Sequence, residues 1–505
     1  MGAPSSRVLI GALALMVAPA AGQEAQGTPD VQVAPMPRFA SEAPVTGGIT
    51  TGTVSIAPLG PPGASSGVLP SSVTGLSDDL WTGSDADDLA SRIAALPDEM
   101  PRAALALERV MMLAEADPPR RGDPEALLAA RLVRLLDRGH LDAAAALASR
   151  TGGRSAVLRR IAFDIALLLG DETEACGLTD PEAEAPGDYA RRVFCLVRAG
   201  DFAAASTVFD SARALGRLDP QDEVLLELFL FPELLEELSV PVPPRAPTPL
   251  QFRLNEALGE PMPTRNLPVA FARSDLRPIV GRKAQIEAAE RLARAGALEG
   301  TRLLQLYTSG RPSASGGVWD RAAALRDLDA AFAARNPEAV ALALPRAVEA
   351  LDGADLTAAL ADAIYPQVAA LRPQGVAAQS AALRLGLLSA DYEAASNEWS
   401  QAEGPHLDAA RSVARGEPPS DGGDALDAAV GDAFAAEAPV PDRLGVAAEG
   451  GRLGEALLIA LDDLSVGAGG DRARLAGALA FLRSVGLEDT ARRVGIEVLI
   501  SREAA

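Results

Sequence analysis

Histidine, cysteine and lysine are nearly missing from this 505-residue chain, which has two His, two Cys and a single Lys (Lys283) beside 45 Arg. Aromatic residues make up only 4%, although hydrophobic residues make up 48%. Each shortage excludes something. Two His and two Cys are too few for a multi-ligand zinc or haem site, so no metal and no cofactor is expected. With few aromatics, the apolar content is mostly Ala, Leu and Val, which favours helix over strand. Basic residues number 46 against 69 acidic ones, a net charge of −23. Such a chain lacks the cationic surface that displaces counterions from nucleic acid, and anionic membranes repel it. Long apolar runs are absent too. No stretch reaches the ~18 uncharged apolar residues of a membrane span, so membrane insertion is not expected.

What is present begins with an export signal. Residues 1–22 read as a cleaved secretory signal peptide: Arg7, an apolar run from Val8 to Ala18, a helix-breaking Pro19, and small residues that allow cleavage after Ala20 or Gly22. The expected location is periplasmic, and losing Arg7 takes the charge from −23 to −24. In an exported protein, Cys176 and Cys195 as the whole thiol inventory point to a disulfide. A loop of that size is worth ~3 kcal/mol in chain-entropy models. The alternative is two buried reduced thiols acting as small hydrophobes. The spacing excludes a CxxC redox site.

Residues 23–74 are rich in Pro, Gly and Ser and hold no helical or alternating pattern, so a disordered linker or docking arm is expected there. From Ser84 onward one helix follows another. Ser84-Asp85-Ala86-Asp87 opens the first, with Leu89, Ile93 and Leu96 on one face and Pro97 ending it. Asp123-Pro124 opens a helix whose stripe is Leu127, Leu128, Leu132, Leu135 and Leu136, closed by Gly139, and Asp219-Pro220 and Asn336-Pro337 repeat the Asx-Pro start. The Pro-rich cluster Val240–Pro249 and the break Gly416–Gly423 divide the body into helical blocks at 76–239, 250–415 and 424–502.

A short pattern recurs at the turns: Gly139-His-Leu-Asp-Ala-Ala144, Gly170-Asp-Glu-Thr-Glu-Ala175 and Gly200-Asp-Phe-Ala-Ala-Ala205, with further copies from Gly296, Ala390 and Gly451. A small residue tolerates the left-handed cap, an apolar residue two places on packs back, and a small Ala lets the next helix approach. This pattern resembles the inter-helix turn of tetratricopeptide-like repeats, although the Trp and Pro of the full repeat are missing. The expected fold is all-α: an array of antiparallel helical hairpins, an α-solenoid, behind the N-terminal arm.

Signals for chemistry are few. Gly63-Ala-Ser65-Ser-Gly67 fits the nucleophile-elbow pattern but lacks the strand and helix that motif needs. His140, in the first repeat turn, reads as a solvated turn residue or a helix-end cation, and His406 sits at a helix start. Neither has a His or Cys at i+3 or i+4. The acidic run Asp78–Asp88 fits helix caps better than an EF-hand loop. Trp81 precedes the first helix, where it could cap an open end of the array. No catalytic residue is assigned, and a non-enzymatic protein is expected.

Layout and arginine bias together resemble exported helical-repeat proteins of GC-rich Gram-negative bacteria and, more loosely, periplasmic proteins associated with the flagellar stator. That resemblance implies a scaffold or adaptor holding a protein partner of an envelope machine in a concave groove. The net charge points to a basic partner. The competing expectation is a peptidoglycan- or carbohydrate-binding accessory similar to the superhelical part of lytic transglycosylases. The catalytic Glu-Ser dipeptide of those enzymes does not occur in the chain.

Overall fold

Ala- and Leu-rich segments with a polar residue at the head of each can satisfy their own backbone groups and bury one stripe, and the chain does this repeatedly. The computed structural model describes residues 66–501, apart from 152–154, 181, 183–185, 311–313 and 420–422. The signal peptide and residues 23–65 of the expected arm lie outside the described residues. Asp85 rather than Ser84 caps the first long helix, Ala86–Ala95, accepting from the Asp87 N–H at 3.0 Å. Asp123, Asp219 and Asn336 accept N–H groups at the heads of Pro124–Asp137, Pro220–Leu230 and Pro337–Asp352, each with Pro at the first turn. These are the caps that an Asx-Pro start supplies.

The recurring turns hold as well. Gly139, Gly170, Gly200, Gly296 and Gly451 have φ of 78°, 86°, 80°, 75° and 74°, the left-handed region where glycine carries no steric cost. Ala144, Ala175, Ala205, Ala395 and Ala456 are wholly buried, which allows close helix approach. The apolar residue two places on is less regular: Leu141 is buried, whereas Phe202 is 56% exposed.

The described residues are all-helical, and their only β pairing is three isolated bridges. Helices Ala86–Ala95, Arg102–Leu113 and Pro124–Asp137 pack together first. The chain then leaves for a lobe running from Ala156–Leu169 to Pro249–Ala257, whose own core contains Phe163, Phe194, Phe209, Leu225 and Leu254. Within it, Cys176 and Cys195 are joined by a disulfide, tying Glu172–Gly177 to Pro186–Arg198. A 3-10 segment, Val269–Leu276, leads back against Pro124–Asp137 and Arg282–Arg294. Helical pairs continue from there to Glu488–Ser501.

The array does not end open. Leu453–Ala468 packs on Ala86–Ala95 and Arg102–Leu113, and Glu488–Ser501 packs on Arg102–Leu113. One hydrophobic core runs from Leu76 to Ile500 through all three sequence blocks. The seam needs glycine. The Gly454 N–H donates to Leu80 O at 3.0 Å, and a Cβ on Gly454 would sit 2.5 Å from the Trp81 ring. A Cβ on Gly83 would sit 2.1 Å from Gly451 O. Trp81, 1% exposed, therefore does not cap an open end; it is the packing surface on which the last part of the chain closes.

Residues 66–74, at the end of the expected arm, are held by the body. Val68 and Leu69 donate to Leu113 O, and Leu69 O accepts from Glu115. The wholly buried Arg131 donates to Met112 O, Ser66 O and Ala114 O at 2.8, 2.8 and 2.9 Å. Among the described residues, no helix is long and apolar enough to cross a membrane.

Candidate functional site

Two concavities are candidates for binding, one at the closure and one in the lobe. The first is a cavity of about 380 Å³. Arg102–Leu113 and Glu488–Ser501, packed on each other, line it together with the turns at His140 and Gly296–Glu299 and the helix Thr357–Leu371. It therefore exists only because the two ends of the array meet.

Its charges are of both signs. Arg102 donates through Nη1 to Ala293 O at 2.6 Å. Glu497 accepts the backbone N–H groups of Arg102 and Ala103 at 2.6 and 3.1 Å. Asp362 accepts the Ala390 N–H, and Arg493 pairs with Asp489 at 3.0 Å. Arg109 and Glu299 are exposed lining residues whose side chains make no hydrogen bond or ion pair among the described residues.

The enclosure shifts protonation. Burial pushes the Glu497 carboxyl up to about 7, against the pull of its two N–H donors and of Arg102. Burial, with Arg109, Arg138 and Arg102 nearby, pushes His140 down to about 4. His140 is thus a neutral, partly buried imidazole on the cavity wall, not a solvated turn residue or a helix-end cation. A second layer holds that wall in place. Buried Glu108 accepts from Arg134 at 2.6 Å and from Arg138 at 3.0 Å, and both guanidiniums also donate to Pro97 O.

The second concavity is a groove of about 820 Å³ between Leu141–Thr151, Ala156–Leu169 and Glu172–Gly177. Small and apolar side chains, among them Ala145, Ala162, Ile165 and Leu169, form its floor. Asp171, Glu174 and Asp180 stand along it. Asp180 pairs with Arg159 at 2.6 Å, and Asp171 caps its helix by accepting the Glu174 N–H, while the Glu174 carboxylate has no partner among the described residues. The disulfide anchors the helix that carries this wall.

Other positions singled out in the sequence fall elsewhere. Residues 63–65 of the nucleophile-elbow pattern lie outside the described residues. His406 adopts φ 54° ahead of Leu407–Ala414, with Nδ1 2.8 Å from Asp427 and Nε2 3.9 Å from Asp424. Those three groups lie close enough to share one cation, a convergence that the spacing 406, 424 and 427 does not reveal. Asp424 already caps Ala425–Phe434, accepting from Leu426 and Asp427 N–H groups, and Asp427 orients the imidazole. The cluster thereby has a structural use without an ion. Glu299, Arg109 and Glu497 carried no sequence signal, since each is one charged residue on a helix or turn. No known protein family, no curated protein and no solved structure matches the chain.

Proposed function

We propose that the chain is a non-enzymatic, exported binding scaffold that takes a basic, amphipathic segment of a partner protein into the lobe groove. The observation that carries this reading is the groove itself: a floor of small apolar side chains that a helix or strand can approach closely, beside carboxylates of which Glu174 is uncommitted. The net charge of −23 adds long-range attraction for a basic partner. The disulfide and the signal-like residues 1–22 support an extracytoplasmic, periplasmic setting. A scaffold within an envelope machine, the flagellar motor among them, fits such a groove.

Photocrosslinking in cells tests it. A crosslinking amino acid replaces Ser149 or Ala146 in the groove, and in a control it replaces Ile279, which is 82% exposed and outside the groove. The groove positions should capture one protein with a basic segment, the control should not, and the association should weaken as salt rises. Capture equal at all three positions, or co-sedimentation with cell-wall sacculi and no protein captured, would overturn the reading in favour of the peptidoglycan-binding alternative.

A further inference from the structure

The cavity at the closure is separate from the groove, and its lining calls for a different kind of ligand. At about 380 Å³ it falls in the size range of small-molecule sites. Most of its charged groups are already in use. Glu497 caps a helix, Asp362 holds the Ala390 N–H, Arg493 is paired with Asp489, and Arg102 reaches Ala293 O. Two are not: the guanidinium of Arg109 and the carboxylate of Glu299, which have no hydrogen bond or ion pair among the described residues and lie on different walls of the same cavity.

We propose that this cavity binds a small zwitterion, a solute bearing one carboxylate and one ammonium group, of the class of free amino acids and short peptides. The argument is one of charge balance in a partly desolvated space. A solute with only a carboxylate meets Arg109 but also Glu299 and Asp362. A solute with only an ammonium group meets those acids but also Arg109 and Arg102. Both kinds bring an uncompensated charge into a space where desolvation is costly. A zwitterion offers a partner to each uncommitted group. Leu105, Leu387, Leu388 and Leu487 are also among the lining residues, so an aliphatic side chain on the solute has somewhere to go. His140, neutral at physiological pH, adds hydrogen-bonding capacity without a further charge.

The site is assembled by the closure, so a bound zwitterion bridges the Arg102–Leu113 side, which carries Arg109, to the turn that carries Glu299. By mass action it stabilises the folded chain. This inference does not depend on the groove or its partner, and the two can fail separately.

The test is calorimetric titration and thermal melting of the full chain against L-leucine, L-leucyl-L-leucine, N-acetyl-L-leucine and L-leucinamide. The first two are zwitterions, the third keeps only the carboxylate and the fourth only the ammonium group. At least one of the zwitterions should bind and raise the melting temperature. Each of the single-charge analogues should bind about tenfold or more weakly, the factor that corresponds to about 1.4 kcal/mol. Arg109→Gln should weaken the zwitterion and N-acetyl-L-leucine and leave L-leucinamide unchanged or tighter; Glu299→Gln should weaken the zwitterion and L-leucinamide and leave N-acetyl-L-leucine unchanged or tighter. Both substitutions remove exposed charges whose side chains make no hydrogen bond or ion pair among the described residues, so the melting temperature of the ligand-free protein should move little. Equal binding of all four compounds, no binding by either zwitterion at about 10 mM, or binding that ignores both substitutions would overturn the proposal.

Discussion

The carboxylate of Glu497, in the last helix, accepts the backbone N–H groups of Arg102 and Ala103 at 2.6 and 3.1 Å, across 395 and 394 residues of chain. The head of the Arg102–Leu113 helix is occupied by Pro101, which has no side chain able to cap it. The first N–H groups of a helix have no intrahelical acceptor, and at this helix a residue from the far end of the chain provides one. The closing contact and the cap are the same interaction.

Its pH dependence follows from the raised carboxyl. A carboxyl that is harder to ionise folded than unfolded contributes stability that is fully present below its ordinary 4.5 and is lost as pH rises through about 7. The contribution lost across that window is about 3 kcal/mol at most. Urea melts of the native chain and of Glu497→Gln between pH 4 and pH 8 check this: the native curve should carry a decline through that window that the variant lacks. Parallel curves would show that Glu497 does not titrate there.

His140 works in the opposite sense within the same cavity. Its folded value is depressed, so its contribution is fully present above its ordinary 6.5 and is lost as pH falls through about 4. In His140→Gln, the acid-side loss of stability should shrink over that range. An unchanged acid limb would place the imidazole in solvent.

The glycine seam allows a steric test. In Gly454→Ala the new Cβ meets the Trp81 ring at 2.5 Å and Leu80 O at 2.6 Å. Overpacking of this kind costs about 1–3 kcal/mol. Gly177→Ala, whose Cβ would meet nothing within 4 Å, is the control and should be neutral or slightly stabilising. Equal melting temperatures for the two variants would contradict the close approach of Trp81 and Gly454.

Arg131→Met should unfasten the segment before the first long helix. It leaves the carbonyls of Met112, Ser66 and Ala114 without their guanidinium donor, and each buried acceptor left unpaired costs about 1–3 kcal/mol. Limited proteolysis should then cut near residues 66–74 while the lobe core stays protected. Resistance equal to that of the native chain would show that Arg131 is not what holds the segment.

How much of this could be read from the sequence depends on how local each signal is. Asp123, Asp219 and Asn336 declare their helices because a cap and the helix it starts are neighbours, and the turn glycines declare themselves because a left-handed residue is a local need. The disulfide was legible because only two cysteines exist. The closure was not. Pro101 leaves a helix head uncapped, but nothing in the sequence says that Glu497 fills it. Gly454 looks like any helix-entry glycine until Trp81 lies against it. The cavity is less legible still, because Arg109, His140, Glu299 and Glu497 come from four separate segments, and their spacing carries no pattern. His140 shows the same limit: its turn is local, but its burial comes from Arg102–Leu113 and the turn at Gly296, which its own neighbours in sequence do not announce.

Closure can be measured directly across the ion pair of Arg92 and Glu455, 3.2 Å apart on the first and the late helices of the seam. A chain carrying Arg92→Cys and Glu455→Cys, treated at low concentration with a short bismaleimide, should form an intramolecular 92–455 link in high yield, identified by peptide mass spectrometry. The Cys176–Cys195 pair is already bonded and does not compete. Two reactive thiols that stay unlinked in the folded monomer would mean that the array is open, and with it the cavity would be lost.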